Sequence, residues 1–126
     1  MEVSFGPVVI QAGERVRPGA GQTQGMVREQ AFATDDCWVG HVTGEPGMAS
    51  GWHHHDGFTT YFYVLSGALR LEFGPQGADV VQAGPGDFVL VPPEMIHRES
   101  NPGSEPVTIA LFRTGSGRPV VNVDGP

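Results

Sequence analysis

The sequence predicts an all-β fold, a closed barrel or a sandwich of short strands, and three observations carry that prediction. From Trp38 onward, apolar segments recur at short intervals with almost no helical period. The 19 glycines and 11 prolines punctuate those segments as Gly-Pro, Pro-Gly and Asp-Gly pairs, which favour tight turns. A chain of 126 residues suits one domain, in which folding removes roughly two-thirds of the unfolded chain's surface from water.

Before residue 38 the signal is thin. Residues 8–10 are a candidate short strand, 19–24 a loop, and 27–32 a candidate helical turn. Eight strands are then expected at 38–42, 51–55, 58–65, 68–73, 79–82, 88–91, 96–99 and 107–113. Residues 120–123 are a candidate ninth, added at a sheet edge or across a dimer interface. No internal repeat or linker marks a second unit.

Charge and composition narrow the partners. The formal charge of -7 comes from scattered acids, with no Lys or Arg cluster to neutralise phosphates. Nucleic acid and anionic membranes are therefore excluded as expected partners, and a small-molecule ligand is favoured. Cys37 is the sole cysteine, so no intrachain disulfide forms. The start MEVSFGPVVIQAG lacks the charged and apolar regions of a signal peptide, and no stretch approaches the roughly 20 apolar residues of a membrane helix. A cytoplasmic protein is expected.

The chemistry concentrates in GWHHHDGFTTYFYVLSG, residues 51–67. Asp56-Gly57 is a strong hairpin signal, because a type I′ turn needs positive φ at both central residues. A two-residue turn would pair His55 with Phe58, His54 with Thr59, His53 with Thr60 and Trp52 with Tyr61. Alternation then puts His53, His55, Phe58, Thr60, Phe62 and Val64 on one face, and His54, Thr59, Tyr61 and Tyr63 on the other. Imidazoles at i and i+2, about 7 Å apart along a strand, converge on one metal where adjacent ones do not. Two imidazoles facing an apolar interior are costly to bury without a strong partner. A third histidine, His97, ends the run GPGDFVLVPPEMIH, where Pro-Pro-Glu breaks the strand at Val91 and allows the chain to return it to the pair.

These two stretches resemble the two motifs of the cupin superfamily. G(X)5HXH(X)4E(X)6G is matched by Gly47, His53, His55 and Gly67, with Thr60 at the glutamate position. G(X)5PXG(X)2H(X)3N is matched by Gly86, Pro92, His97 and Asn101, with Glu94 at the glycine position. The resemblance implies a cupin-type small β-barrel, the double-stranded β-helix or jelly roll. Its motif-bearing barrel would span about 38–113 of a single domain 1–126, with an N-terminal arm 1–37 and a C-terminal extension 114–126. It also implies a divalent transition metal, Fe, Mn, Ni or Zn, ligated by His53, His55 and His97.

Thr60 is the departure that matters, since its short neutral hydroxyl neither reaches such a metal nor replaces a carboxylate. A three-histidine site is expected, similar in ligand set to the iron centres of thiol dioxygenases and of the diketone-cleaving dioxygenase among cupins. Glu99 shares the face of His97 and is a candidate ligand, base or orienting group, against a reading as a rim residue paired with Arg98 or Arg70. His41 is the other candidate for proton transfer, against a reading as ordinary strand surface. Thr60, Phe58 and Phe62 are the candidate pocket wall, with barrel packing as the alternative for the phenylalanines. Asp56 and Glu94 read as solvated turn residues. Outward Tyr61 and Tyr63 point to packing between subunits or sheets, and together with the candidate strand at 120–123 they lead to the expectation of a homodimer.

The leading expectation is a small-molecule oxygenase. The alternatives are a non-redox isomerase or lyase using the metal as a Lewis acid, and a non-catalytic ligand-binding module.

Overall fold

The computed structural model describes residues 6–19 and 22–126. Its strands are β1 Met26–Ala33, β2 Cys37–Gly44, β3 His53–His54, β4 Thr59–Ser66, β5 Leu69–Phe73, β6 Asp79–Ala83, β7 Phe88–Val91, β8 His97–Ser100, β9 Val107–Thr114 and β10 Val121–Asn122. They form two five-stranded sheets, ordered β1-β2-β9-β4-β7 and β10-β3-β8-β5-β6, with every pairing antiparallel. Single 3-10 turns at Ala12–Glu14 and Pro75–Gly77 are the helices among the described residues. Among those residues no helix is long and apolar enough to cross a membrane.

The core lies between the sheets, because each strand turns alternate side chains inward. One sheet contributes Val42, Phe62, Val64, Ile109 and Leu111, and the other Leu69, Leu71 and Ala83. Gly67 joins β4 to β5 at φ 80, where a Cβ would run into the backbone of Pro106 and Val107. Asn101 is buried and holds the loop after β8. Its Nδ2 donates to the carbonyls of Glu105 and Gly44, and its Oδ1 accepts from Gly103 N.

The eight strands expected from residue 38 onward are all present, with ends moved by one or two residues. Three expectations change. Residues 27–32 are strand rather than a helical turn: Arg28 takes an inward position in β1 and hides the apolar alternation that would announce it. Residues 8–10 form no strand, and the loop at 19–24 lies partly outside the described residues. The expected tail strand is present as β10, added at a sheet edge against β3.

The third change concerns the hairpin. β3 does not pair with β4: β3 lies between β10 and β8, and β4 between β9 and β7. The Asp56-Gly57 turn, closed by Phe58 N donating to His55 O at 3.1 Å, instead carries the chain from one sheet to the other. Of its central pair only Asp56, at φ 54, takes the left-handed conformation that a type I′ turn needs twice. Gly57 is required there because a Cβ would meet the Ser116 carbonyl oxygen at 2.6 Å. The inward set nevertheless stands, with His53, His55, Thr60, Phe62 and Val64 buried and Phe58 half-buried. Glu94 takes φ 61, the left-handed region that favours glycine, which is the residue of the motif it departs from.

Candidate metal centre

Strand register brings the histidines together. His53 on β3 sits opposite His97 on β8, with ring centroids 4.5 Å apart. His55 lies two residues on, its ring 5.0 Å from that of His53 and 5.1 Å from that of His97. Alternation along β8 puts Glu99 on the face of His97. One donor atom from each of His53, His55, His97 and Glu99 lies within 4.8 Å of the others, and all four residues are buried.

Each imidazole is oriented by a backbone carbonyl. His53 Nδ1 donates to Gly51 O at 2.9 Å, His55 Nδ1 to Pro119 O at 2.7 Å and His97 Nδ1 to Met95 O at 2.9 Å. A carbonyl only accepts, so each Nδ1 carries the proton and each Nε2 is turned to the centre as the ligating nitrogen. Glu99 is set by its backbone, which exchanges hydrogen bonds with Ser50: Glu99 N donates to Ser50 Oγ at 2.9 Å and Ser50 N to Glu99 O at 2.8 Å.

The charges are strongly coupled. Burial opposes a proton on His97, but the Glu99 carboxylate, 2.9 Å from its Nε2, overrides burial and raises the His97 pKa. Burial likewise opposes ionisation of Glu99, yet His53 and His97 hold it well below the usual carboxylate range. His55 is pushed down to about 2, by burial first and by the charge of Arg113 second, and so stays neutral and ready to ligate.

Two atoms in this buried group lack a hydrogen-bond partner, His53 Nε2 and Glu99 Oε2. His53 Nε2 is 3.7 Å from Glu99 Oε1, beyond hydrogen-bond reach. Unsatisfied buried lone pairs are expensive, and a divalent cation satisfies both at once. The donor set, imidazole nitrogen with one carboxylate, suits a transition ion.

The other expected site residues divide. Glu99 is not a rim residue: Arg98 donates to Glu72 at 2.7 Å and stacks on Trp52, while Arg70 lies 3.8 Å from Glu72. The three expected histidines are brought together, and Glu99 joins them as a fourth candidate, a carboxylate supplied from β8 rather than from position 60. His41 is on the outer face of β2, 4.0 Å from Glu29 and near Arg15, away from the centre. Thr60 pairs with Val91 and Arg113 rather than with His53, and its hydroxyl accepts from Arg113 Nε at 3.2 Å. Phe62 packs in the core, whereas Phe58 lines a cavity with Trp38, Arg28 and Arg113. Asp56 does more than face solvent, since its carboxylate accepts from Arg118 N and Nε. His54 faces away from the group and caps the turn, its Nδ1 accepting from Asp56 N at 3.0 Å.

Sequence reasoning missed Arg28 and Arg113. The signal for Arg113 was present, since it continues the inward parity of Val107, Ile109 and Leu111.

Comparison with known proteins adds the fold relationship. Residues 40–113 match the family model of the cupin domain. An uncharacterised conserved protein with a double-stranded β-helix domain from Klebsiella pneumoniae is 22% identical, with a TM-score of 0.71 over 94% of this chain and 98% of that chain. Oxalate decarboxylase from Bacillus subtilis is 23% identical, with a TM-score of 0.68 over 84% of this chain and 30% of that chain. A sugar phosphate isomerase from Silicibacter pomeroyi is 23% identical, with a TM-score of 0.61 over 73% of this chain and 60% of that chain. At these identities the likeness shows the fold alone. No curated protein sequence matches the chain.

Proposed function

Because this chain belongs to the cupin family, we propose that it is a metalloenzyme acting on a small chelating molecule, with His53, His55, His97 and Glu99 holding one divalent transition ion. The observation that carries this reading is the convergence of three Nε2 atoms and a carboxylate in a buried group that leaves His53 Nε2 and Glu99 Oε2 without partners. When bound, the ion supplies Lewis-acid polarisation of a coordinated substrate oxygen. The carbonyls of Gly51, Pro119 and Met95 hold the imidazoles in one tautomer, so no ring turns away while substrate exchanges.

Counting positions favours non-redox chemistry, isomerisation or bond cleavage next to a carbonyl, over the oxygenase expected from the sequence. Four protein ligands on an ion of about six positions leave two, which a bidentate substrate fills without room for dioxygen. A second reading rests on one observation: Glu99 Oε1 is closer to His97 Nε2, at 2.9 Å, than to His53 Nε2, at 3.7 Å. If Glu99 gives up that hydrogen bond when metal binds and serves as base rather than ligand, three histidines remain as ligands and the oxygenase regains its open position.

Metal analysis tests both. One ion per chain is expected, lost in His53→Ala, His55→Ala and His97→Ala and kept in His54→Ala. Glu99→Gln separates the readings. A ligand role predicts metal binding weakened by roughly tenfold or more, with no oxygen uptake by Fe(II)-loaded wild type on thiols, diketones or hydroxy acids. Unchanged affinity together with substrate-dependent oxygen uptake would establish the oxygenase instead. Full metal content in His97→Ala would sink the metal centre altogether.

A further inference from the structure

A cavity of about 250 Å³ opens beside the centre, lined by Pro18, Arg28, Trp38, Phe58, Arg113 and Pro119 among others. Pro119 ties the two together, since its carbonyl accepts from His55 Nδ1. At about 30 Å³ per water the cavity holds roughly eight waters, room for a small ligand.

Its wall is unusually cationic. Arg28 and Arg113 are 2% and 3% exposed, and Glu99 is the one buried carboxylate among the described residues. Arg113 stands close enough to the centre for its charge to help push the His55 pKa down, and a divalent ion there would add further positive charge. Burial first and the neighbouring Arg28 second pull the Arg113 pKa down to about 10, against the opposing charge of Glu99. The whole chain, by contrast, carries -7, so the cationic character is local.

Arg113 is poised rather than satisfied. Its Nε donates to Thr60 Oγ1 at 3.2 Å, which sets the guanidinium plane, while its buried Nη2 has no partner. Trp38 and Phe58 flank the group with ring centroids 5.9 and 6.0 Å away. A planar fork with an unused donor, held between aromatic walls, matches a carboxylate.

We propose that Arg113 anchors a carboxylate of the substrate, so that the site takes a small organic acid whose other oxygen-bearing end reaches the metal. The second half rests on the metal reading above; the Arg113 anchor does not. The proposal also explains Thr60. A glutamate at that position would pair with Arg113 and neutralise it, whereas threonine orients the guanidinium and leaves its charge for the ligand, with Glu99 supplying the carboxylate of the centre.

Calorimetric titration of Zn(II)-loaded and of metal-free protein with malonate, its neutral analogue malonamide and inorganic phosphate tests the anchor. Malonate should bind both forms, and malonamide at least about tenfold more weakly. Arg113→Met should lose malonate affinity by at least about tenfold with zinc content unchanged, and Arg113→Lys should fall between. The malonamide comparison on wild type and the lysine variant carry the test if Arg113→Met does not fold. Malonate binding that is indifferent to Arg113, or malonamide binding as well as malonate, overturns the proposal. Phosphate binding more tightly than malonate overturns the carboxylate assignment. Failure of the protein to hold zinc, with Arg113-dependent malonate binding intact, would remove the metal reading and leave the anchor standing.

Discussion

His97 and Glu99 form a buried hydrogen-bonded pair at 2.9 Å, and the metal-free protein should reveal it through pH. His97 has a pKa raised above its ordinary 6.5, so its contribution to stability is complete below 6.5 and fades as pH rises through the raised value. Glu99 lies below its ordinary 4.5, so its contribution is complete above 4.5 and fades as pH falls through the lowered value. His55, held neutral in the fold, adds a contribution that is complete above 6.5 and fades as pH falls below it, so thermal unfolding of metal-free protein should peak near pH 6.5 and decline on either side. Metal binding near pH 6.5 should expel the His97 proton, read as binding heats that vary with the ionisation enthalpy of the buffer; heats independent of buffer would contradict the pairing. Thr60→Val is a second test at this scale. It strands Arg113 Nε in a buried site and should cost about 1–3 kcal/mol of stability in denaturant unfolding. The HxH spacing and His97 were legible in the sequence because strand parity and two motifs mark them. Glu99 was only a candidate, because its burial and its distance from His53 depend on how β8 docks beside β3.

At the scale of elements, the C-terminal segment serves the centre. The Asp56 carboxylate accepts from Arg118 N at 3.0 Å and Nε at 3.3 Å, which places the next carbonyl, Pro119 O, on His55 Nδ1. β10 continues the hold, pairing Val121 with His54 and Asn122 with His53. Loss of a group that orients a ligand typically weakens metal by about ten- to a hundredfold. Asp56→Ala should accordingly lower metal affinity by about tenfold, and Asp56→Asn, which keeps an acceptor for Arg118 N, should recover part of it. Equal affinity of Asp56→Ala and wild type would show that Pro119 finds His55 without the turn. Asp-Gly announced a turn correctly and a hairpin wrongly: the dipeptide sets local φ, while the strand partner is chosen by which faces must be buried.

Over the whole molecule, one outer face stands out. Tyr61, Phe88, Leu90 and Phe112 are exposed, and register makes them contiguous, with Tyr61 opposite both Leu90 and Phe112. Tyr63 packs on Phe88 within the same patch. β7 is also an edge strand, so an apolar face adjoins an open hydrogen-bonding edge, a combination that invites association. We propose that a second copy of the chain covers it, because a patch without charged side chains is self-complementary about a two-fold axis. Light scattering at micromolar concentration should give twice the chain mass, and Phe88→Lys with Leu90→Glu should give the monomer with metal content unchanged. A wild-type monomer would refute the dimer.

By itself the sequence determined the all-β class, the strands from residue 38 onward, the inward parity of His53 and His55, and the two motifs that mark the histidines. All of these depend on neighbours a few residues apart, where alternation and turn chemistry act. Only the tertiary structure decided that β3 leaves β4 for β8 and β10, that Glu99 stands among the histidines, that His41 faces away and that Arg28 and Arg113 line the adjoining cavity. Those outcomes join strands distant in the chain, and inward-facing charges such as Arg28 and Glu99 become favourable only once the opposite wall supplies their partners.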